Sequence, residues 1–378
     1  MMKKDPRNQT LDMNKLERWL GQEKIDHLRA SINGWYGRPI NLRDVPGSVW
    51  LHADGTFTGN FKRGGFYSAL DSLEEWTKRL NKAIEYQVMH PQLNAGFTSI
   101  GDALSRASQG FSQRRHINKV GPTGVVGVTS SLWRVGPQPA AGSAGAAAPG
   151  GTAHVSADTG ALAYANPASG TNHIVGADVA ASVLGNSLML YDRLFSVAKT
   201  INSTTTEAVT GVPSRYQSAT TTAADYAGDN FLFVEVGGTA LAAVAHNWTV
   251  CLYTNQANTA GQTLPSLAGN SGAIVDRLDH PTQQWFAPLA TGDVGIKALT
   301  QMQCSALVTT GAINFVIGHP IGIMAFPQIN LLYPFDWLTN RDQAPRIFDN
   351  ACLAFLEMLK PATTTTTYTG RMVTTSAA

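Results

Sequence analysis

The stretch VGIKALTQMQCSALV, residues 294–308, carries the most regular hydrophobic pattern in the chain, and our expectation of the fold starts from it. Its even positions are mostly apolar or small, and its odd positions are mostly polar. A period of two is typical of a β-strand with one buried and one solvated face. Leu299 and Leu307 place apolar groups on the polar face, so we expect a helix or a neighbouring subunit to cover that face and name both as candidate interface residues.

A second apolar stretch, INFVI at residues 313–317, follows the turn signal Thr309-Thr310-Gly311. Glycine accepts the positive φ that many tight turns need. The two stretches together predict a core hairpin over Val294 to Phe326. This hairpin contains no evident catalytic group, which directs attention to a structural role.

The composition is unusually poor in charge. Charged residues make up 14% of the 378 residues, against roughly 25% in an average soluble domain. Such a surface is either covered by partners or solvated through hydroxyl and amide groups. The charge is also unevenly distributed, because residues 1–119 hold 18 of the 28 Lys and Arg residues but 12 of the 26 Asp and Glu residues. The first third is therefore basic and the remainder mildly acidic.

These shifts divide the chain into two predicted regions. Residues 1–120 form a helical, basic N-terminal region with helices over 11–32, 70–90 and 99–108 and a β-hairpin near 49–58, where Asp54-Gly55 is a strong hairpin signal. Residues 121–378 form a β-rich body. We expect an α+β fold in which this sandwich-like body has a packed helix.

Within the body, residues 136–170 read as a long loop rich in Ala, Gly and Pro. Residues 179–201 are apolar on all sides and predict a helix sandwiched between layers, and residues 346–359 predict a final helix. The tail, residues 361–378, contains five consecutive threonines and predicts an extended strand that adds to its own sheet or to a neighbour's. Tyr368, in that tail, is a further candidate interface residue.

No motif supports catalysis. The sequence lacks a nucleophile elbow, a phosphate-binding loop, a dinucleotide fingerprint and any His or Cys pair at metal-ligand spacing. Cys251, Cys304 and Cys352 are widely separated and read as buried core residues. Asp276, Asp279 and His280 read as a turn with capping carboxylates. We therefore predict no catalytic, cofactor-binding or metal-binding residues, no cofactor, and a protein that is not an enzyme.

The densest basic cluster is the best candidate for a functional surface. It consists of Arg106, Arg114, Arg115 and Lys119, with Phe111 and His116 between them. Lys and Arg neutralise phosphates and aromatic rings stack on bases, so the cluster could meet packaged nucleic acid. The alternatives are an intersubunit salt-bridge patch or a solvated loop. The absence of a secretory leader and of a long apolar run predicts synthesis in the cytoplasm and no membrane partner.

Three segments resemble structural virion proteins of tailed bacteriophages in style, without a defined motif: NKVGPTGVVGVTSSLWRVGPQPAAG (118–142), GAINFVIGHPIGIMAFP (311–327) and RIFDNACLAFLEMLKPATTTTTYTGRM (346–372). The resemblance implies a self-assembling capsid or head-associated subunit in the virion, assembled in the host cytoplasm. Its partners would be many copies of itself and other virion proteins. The alternatives are a tail-tube or collar subunit, or a carbohydrate-binding adhesive β domain that stacks sugars on Trp248, Trp285 and Tyr253.

Overall fold

The computed structural model describes residues 49–51, 57–59, 100–168, 170–200, 204–219, 226–308, 310–336 and 345–377. The helices expected over 11–32 and 70–90 lie outside these residues. The chain divides into two compact units, Met1–Arg106 and Ala107–Ala378. Among the described residues, 43% are in strands and 4% in helices, so the expectation of a β-rich body is confirmed.

Two strands and a helix are described at the N-terminal side of the chain. Strand β1 (Val49–Leu51) pairs antiparallel with β2 (Phe57–Gly59), in the segments where the sequence predicts a hairpin. Helix α1 spans Ile100–Ser108 and carries Asp102 in its first turn and Arg106 in its last turn, as the macrodipole favours.

The second unit contains three antiparallel sheets. Sheet I has the order β10-β15-β8-β18-β4 with β6 on β8, sheet II has β12-β11-β14-β9 with β13 on β11, and sheet III has β16-β7-β19-β3-β5 with β17 on β7. The strands are β3 (Ser112–Val120), β4 (Ser130–Ser131), β5 (Pro137–Gln138), β6 (Thr152–Ala153), β7 (Asn172–Ala181), β8 (Ser187–Thr200), β9 (Glu207–Ala208), β10 (Phe231–Val236), β11 (Asn247–Asn255), β12 (Gln262–Thr263), β13 (Leu267–Ala268), β14 (Ile296–Cys304), β15 (Ala312–Ala325), β16 (Tyr333–Asp336), β17 (Arg346–Ile347), β18 (Leu353–Met358) and β19 (Thr367–Ser376).

Sheet I contributes to three hydrophobic clusters, and its two longest strands, β8 and β15, take part in all of them. Leu188 and Leu190 of β8 pack with residues of sheet III such as Val179. Further along the same strand, Val197 packs with residues of sheet II such as Met302. The pairing of β8 with β15 contains a register shift near Leu194. One extra residue in a strand inverts the alternation, so even-numbered side chains before Leu194 and odd-numbered side chains after it lie on the same face. Strand β8 therefore contributes side chains both to the cluster with sheet II and to the cluster with sheet III.

The helix predicted over 179–201 is wrong, because most of this segment is strand β8. Both faces of β8 are covered, so nearly all of its residues are buried and the period of two disappears from the sequence. The helix predicted over 346–359 is wrong for the same reason. It forms β17 and β18, and all six residues of β18 are buried. The expectation of a helix packed on the body is thereby corrected.

The core hairpin predicted over Val294 to Phe326 is half correct. Both strands exist, as β14 and β15, but they belong to different sheets and do not pair with each other. Strand β14 lies between β11 and β9, and β15 lies between β10 and β8. The segment between β14 and β15 therefore connects sheet II to sheet I.

The C-terminal tail forms β19, which lies between β7 and β3 in the interior of sheet III. It thus adds to a sheet of its own chain, one of the two options that the threonine run predicted. The Ala/Gly/Pro-rich segment 136–170 contains the short strands β5 and β6 and otherwise runs as loop. It lies against sheet I, where β6 pairs with β8.

Candidate functional site

The basic residues of β3 do not share one surface. Successive side chains of a strand point to opposite faces, so Arg115 and Lys119 lie on one face and Arg114 on the other. Lys119 is buried and donates from Nζ to the carbonyl oxygen of Val135 at 2.7 Å. Burial lowers the pKa of Lys119 to about 8. Lys119 is therefore part of the interior and is not available to a partner's surface.

Arg115 is partly buried and is held by its own chain. Its Nε donates to the carbonyl oxygen of Ala163 at 2.5 Å, and its guanidinium lies 5.4 Å from the ring centroid of Tyr164. Arg106 forms an ion pair with Asp102 on helix α1, at 3.1 Å. Of the predicted patch, only Arg114 projects outward from β3, and the cross-strand register puts it on the exposed face with His116 and Arg371.

Two of the three candidate interface residues lie inside the chain. Leu299 is 1% exposed and Tyr368 is 0% exposed, whereas Leu307 is 56% exposed. The position of Leu299 follows from the pairing of β14 with β11. Register shifts on either side of the Tyr253–Leu299 pair invert the alternation locally, so Leu299 turns inward although it has an odd number. Leu307 alone remains available to another molecule.

Sheet I contains a buried ionic network that the sequence reading missed. Arg215 forms two hydrogen bonds with the Asp192 carboxylate, at 2.8 and 2.7 Å. Next to it, Arg193 pairs with Glu235, and both side chains are fully buried. Arg193 also lies 4.8 Å from the ring centroid of Trp133. Sequence separation hides these pairs, but charged residues inside a strand of otherwise apolar character are the signal that could have revealed them.

His154 connects this network to the loop that contains Asp158. Its Nδ1 is 2.6 Å from Asp158 Oδ2 and its Nε2 is 2.7 Å from Ser196 Oγ. Arg193 donates from Nε to the same His154 Nε2 at 3.2 Å, which leaves the ring proton on Nδ1. Burial and the Arg193 charge lower the pKa of His154 to about 4.

The order Ser196–His154–Asp158 has the hydrogen-bond pattern of a nucleophile, a base and an orienting acid. Ser196 is fully buried, however, and a Cβ at Gly145 would lie 2.5 Å from its hydroxyl oxygen. The loop thus fills the space that a substrate carbonyl would need. This arrangement fits a structural polar cluster better than a hydrolytic site.

One group of side chains among the described residues has the composition of a metal site. The ligand atoms of His154, Asp158 and Cys352 all lie within 4.8 Å of one another. The Arg193 guanidinium already donates a hydrogen bond to His154, one of these three residues. Burial also raises the pKa of the Cys352 thiol well above its usual value. Both effects oppose binding of a cation there.

Asp279 and His280 are more deeply buried than residues of a capped turn, whereas Asp276 is partly exposed and lies 3.9 Å from Arg134. The Asp279 carboxylate accepts hydrogen bonds from the Trp248 indole at 2.9 Å and from the Asn270 backbone at 2.6 Å, and His246 Nε2 lies 3.0 Å away. Burial opposes the charge on His246, but Asp279 outweighs it and raises the pKa of His246. The cluster joins the 270–280 loop to sheet II.

The proposed sugar-stacking residues are mostly internal. Trp248 and Tyr253 are buried in the core between sheets I and II. Trp285 is partly exposed and packs edge-on against Phe231 and Phe286, with ring centroids 5.2 and 4.7 Å apart. Phe286 is 42% exposed. Of the three proposed stacking residues, Trp285 alone therefore reaches the surface, where it lies beside Phe286.

A row of exposed apolar side chains precedes and enters β16. Ile329, Leu331, Leu332 and Tyr333 are all at least 40% exposed, although each is large and apolar. Strand β16 ends sheet III and, among the described strands, pairs with β7 alone. No charged residue occurs between Lys297 and Asp336. We call residues 329–336 the β16 edge.

No protein-family model matches the chain, and no curated protein or solved structure shows significant similarity to it. Within the part of the chain that the structure describes, no helix is long and apolar enough to cross a membrane. Function must therefore be argued from the surfaces and clusters above.

Proposed function

We propose that this protein is a structural subunit of a viral particle, a phage capsid or head-associated protein that assembles from many copies through surfaces of low charge. The observation that supports the proposal best is the β16 edge. Among the described strands it is paired on one side only, and it carries several large apolar side chains ahead of its single charged residue, Asp336. Exposed apolar patches and open edges both mark surfaces that bind another chain.

The composition agrees with this role. Charge is scarce across the chain, and charged side chains are depleted at the centres of protein–protein interfaces. Many copies arranged with closed symmetry would convert one modest contact into a stable shell. The same argument accommodates a tail-tube or collar subunit, which also assembles from repeated copies.

The test is the oligomeric state of the full chain, measured by size exclusion with light scattering and by negative-stain microscopy. We expect shells, tubes or large oligomers. The paired substitution Leu331→Asp/Leu332→Asp should reduce assembly by at least tenfold at equal concentration without changing the melting temperature. Val212→Asp is the matched control, because Val212 is 51% exposed in a different segment. A monodisperse monomer at high concentration would contradict the proposal.

The second candidate function is an adhesive β domain that binds carbohydrate. The exposed Trp285–Phe286 pair favours it, because flat aromatic faces stack on sugar rings. In that case a glycan array should detect binding that Trp285→Ala abolishes and Leu331→Asp/Leu332→Asp leaves intact. Absence of binding to all glycans would exclude this alternative.

A further inference from the structure

A second buried polar cluster contains an amine and a carboxamide that both contact one carboxyl group. Lys360 Nζ lies 3.0 Å from Glu357 Oε2, and Asn186 Nδ2 lies 3.4 Å from Glu357 Oε1. Lys360 is 1% exposed, and Glu357 and Asn186 are each 0% exposed. The amine and the amide therefore contact the two oxygens of one carboxyl group in a site closed to solvent.

The surrounding chain closes this site tightly. A Cβ at Gly121 would lie 2.6 Å from Glu357 Oε2, and a Cβ at Gly124 would lie 2.5 Å from Lys360 Cδ. Lys360 Nζ donates to the Pro122 carbonyl oxygen at 2.8 Å from the same turn. The turn at residues 121–124 thus needs glycine where it covers the lysine and the carboxyl group, and it excludes water from both.

The remaining contacts orient the carboxyl group and the amide. Tyr368 donates its hydroxyl to Glu357 Oε1 at 2.9 Å, and the Asn186 Nδ2 donates to Thr366 Oγ1. The Asn186 Oδ1 is buried and finds no donor among the described residues. A half-turn of the amide would present Oδ1 to a protonated Glu357, which would then polarise the carbonyl group.

We propose that Lys360 and Asn186 form an intramolecular isopeptide bond, with Glu357 as the proton carrier. The inference concerns the chemistry of the folded chain and does not depend on self-assembly. The bond would join the turn before β8 to the segment after β18. It would connect two parts of the chain that are distant in sequence, close to where sheet I meets sheet III.

The reaction balances without a cofactor or an oxidant. The Lys360 ammonium gives a proton to the Glu357 carboxylate, and its Nζ then attacks Cγ of Asn186. Glu357 hydrogen-bonds to the amide oxygen, passes its proton to Nδ2 as the tetrahedral intermediate collapses, and takes the second proton from Nζ, so that it ends protonated. One C–N bond forms, one C–N bond breaks, and ammonia leaves.

The environment of the Glu357 carboxyl group favours the proton transfer that this step requires. Two opposite charges in an apolar site are costly, so transfer of the proton from amine to carboxyl loses little there. Burial raises the pKa of the Glu357 carboxyl, more strongly than Lys360 and Tyr368 lower it. The raised pKa favours the protonated carboxyl group, which is the form that can act as a general acid.

The test is intact-mass spectrometry of the full chain, followed by tryptic mapping. We expect a mass about 17 Da below that of the unmodified chain, because ammonia is lost, and one branched peptide that contains both Asn186 and Lys360. Peptide mapping of the unaltered protein needs no variant, so its result does not depend on whether a substituted chain folds.

Three substitutions give the expected pattern. Glu357→Gln and Lys360→Arg should each restore the full mass and eliminate the branched peptide. Asn186→Asp should permit closure with loss of water, a decrease of about 18 Da. Lys119→Arg is the matched control, because Lys119 is also buried but donates to the Val135 carbonyl, so the bond should persist. Full mass in the unaltered protein, or a gain of about 1 Da from hydrolysis of Asn186, would overturn the proposal.

Discussion

Strand β8 and the β16 edge depart from the usual distribution of polar and apolar residues in opposite ways: the first buries charged side chains, and the second exposes apolar ones. The interior of β8 holds Asp192 and Arg193, both fully buried, whereas the β16 edge presents Leu331 and Leu332 to the outside. Charged residues are rarely buried unless they are paired, and large apolar patches are rarely exposed unless they bind something. The buried charges of β8 have their partners within the chain. By the same logic, we propose that the β16 edge binds another molecule.

The largest expected effect comes from breaking a buried pair in sheet I. Arg193→Met leaves Glu235 charged and unpaired in the interior, and we expect the free energy of unfolding to fall by about 3–5 kcal/mol. Urea denaturation followed by fluorescence measures it. Arg371→Ala is the control, because its pair with Asp178 is exposed and should contribute about 1 kcal/mol or less.

The double substitution Arg193→Met/Glu235→Leu sharpens the same comparison. It removes both charges, so most of the lost stability should return. If Arg193→Met alone destabilises the protein no more than Arg371→Ala does, then burial of the pair does not have the energetic weight that we assign to it.

A smaller effect per residue is expected from acid, although three histidines contribute to it together. Burial, together with Arg193 in the case of His154, lowers the pKa of His154 and of His280 to about 4, and burial lowers that of His319 to about 3. In the unfolded chain these histidines titrate near a pKa of roughly 6.5, so below that pH the unfolded state binds more protons. Stability should therefore fall as the pH drops from about 6.5 to about 4, by up to roughly 1.4 kcal/mol per pH unit for each histidine.

His319→Asn isolates one part of this dependence. The ring of His319 stacks on Tyr216 and its Nδ1 bonds to Asn230 Oδ1 at 2.9 Å, and an asparagine amide can replace that donor. The variant should lose stability at pH 7 but show a shallower decline toward pH 4.5 in urea titrations. His246 acts in the opposite sense, because its raised pKa adds stability at low pH that disappears as the pH rises. An unchanged slope in His319→Asn would refute the assignment.

The smallest effect concerns the basic residues of β3. If packaged nucleic acid contacts this strand, Arg114→Ala should weaken retention of DNA uniformly across sequences and reduce the salt slope by about one. Lys119→Met should leave that slope unchanged, because Lys119 is buried. Filter binding at several salt concentrations distinguishes the two. Equal losses in both variants would mean that the exposed face of β3 is not the contact surface.

Local pattern was sufficient to predict several elements of the fold. The alternation of residues 294–308 identifies β14, and the threonine run before Tyr368 precedes and enters β19. The three cysteines are free and buried, as their apolar surroundings predict. In each case a short segment is sufficient for the prediction. The alternation of one buried strand face and the burial of a thiol both follow from nearby side chains and depend little on distant residues.

The candidate site was harder to predict. No local sequence pattern indicates that Arg193 contacts Glu235 or that Asn186 contacts Glu357, because these contacts join residues far apart in the chain. The predicted basic cluster does not form one surface for a different reason, because neighbours in sequence alternate between the two faces of β3. Grouping residues by sequence proximity placed buried Lys119 and exposed Arg114 in one patch that the strand separates.

The sequence by itself determined that this chain forms β-structure with little charge and has an extended C-terminal strand. Only the tertiary structure decided that β8 and β18 are strands, because covering both faces of a strand removes the alternation by which strands are recognised. It also decided that β14 and β15 enter different sheets, since the partner of a strand is chosen by packing across the whole molecule. Tertiary contact alone brings Lys360, Glu357 and Asn186 together.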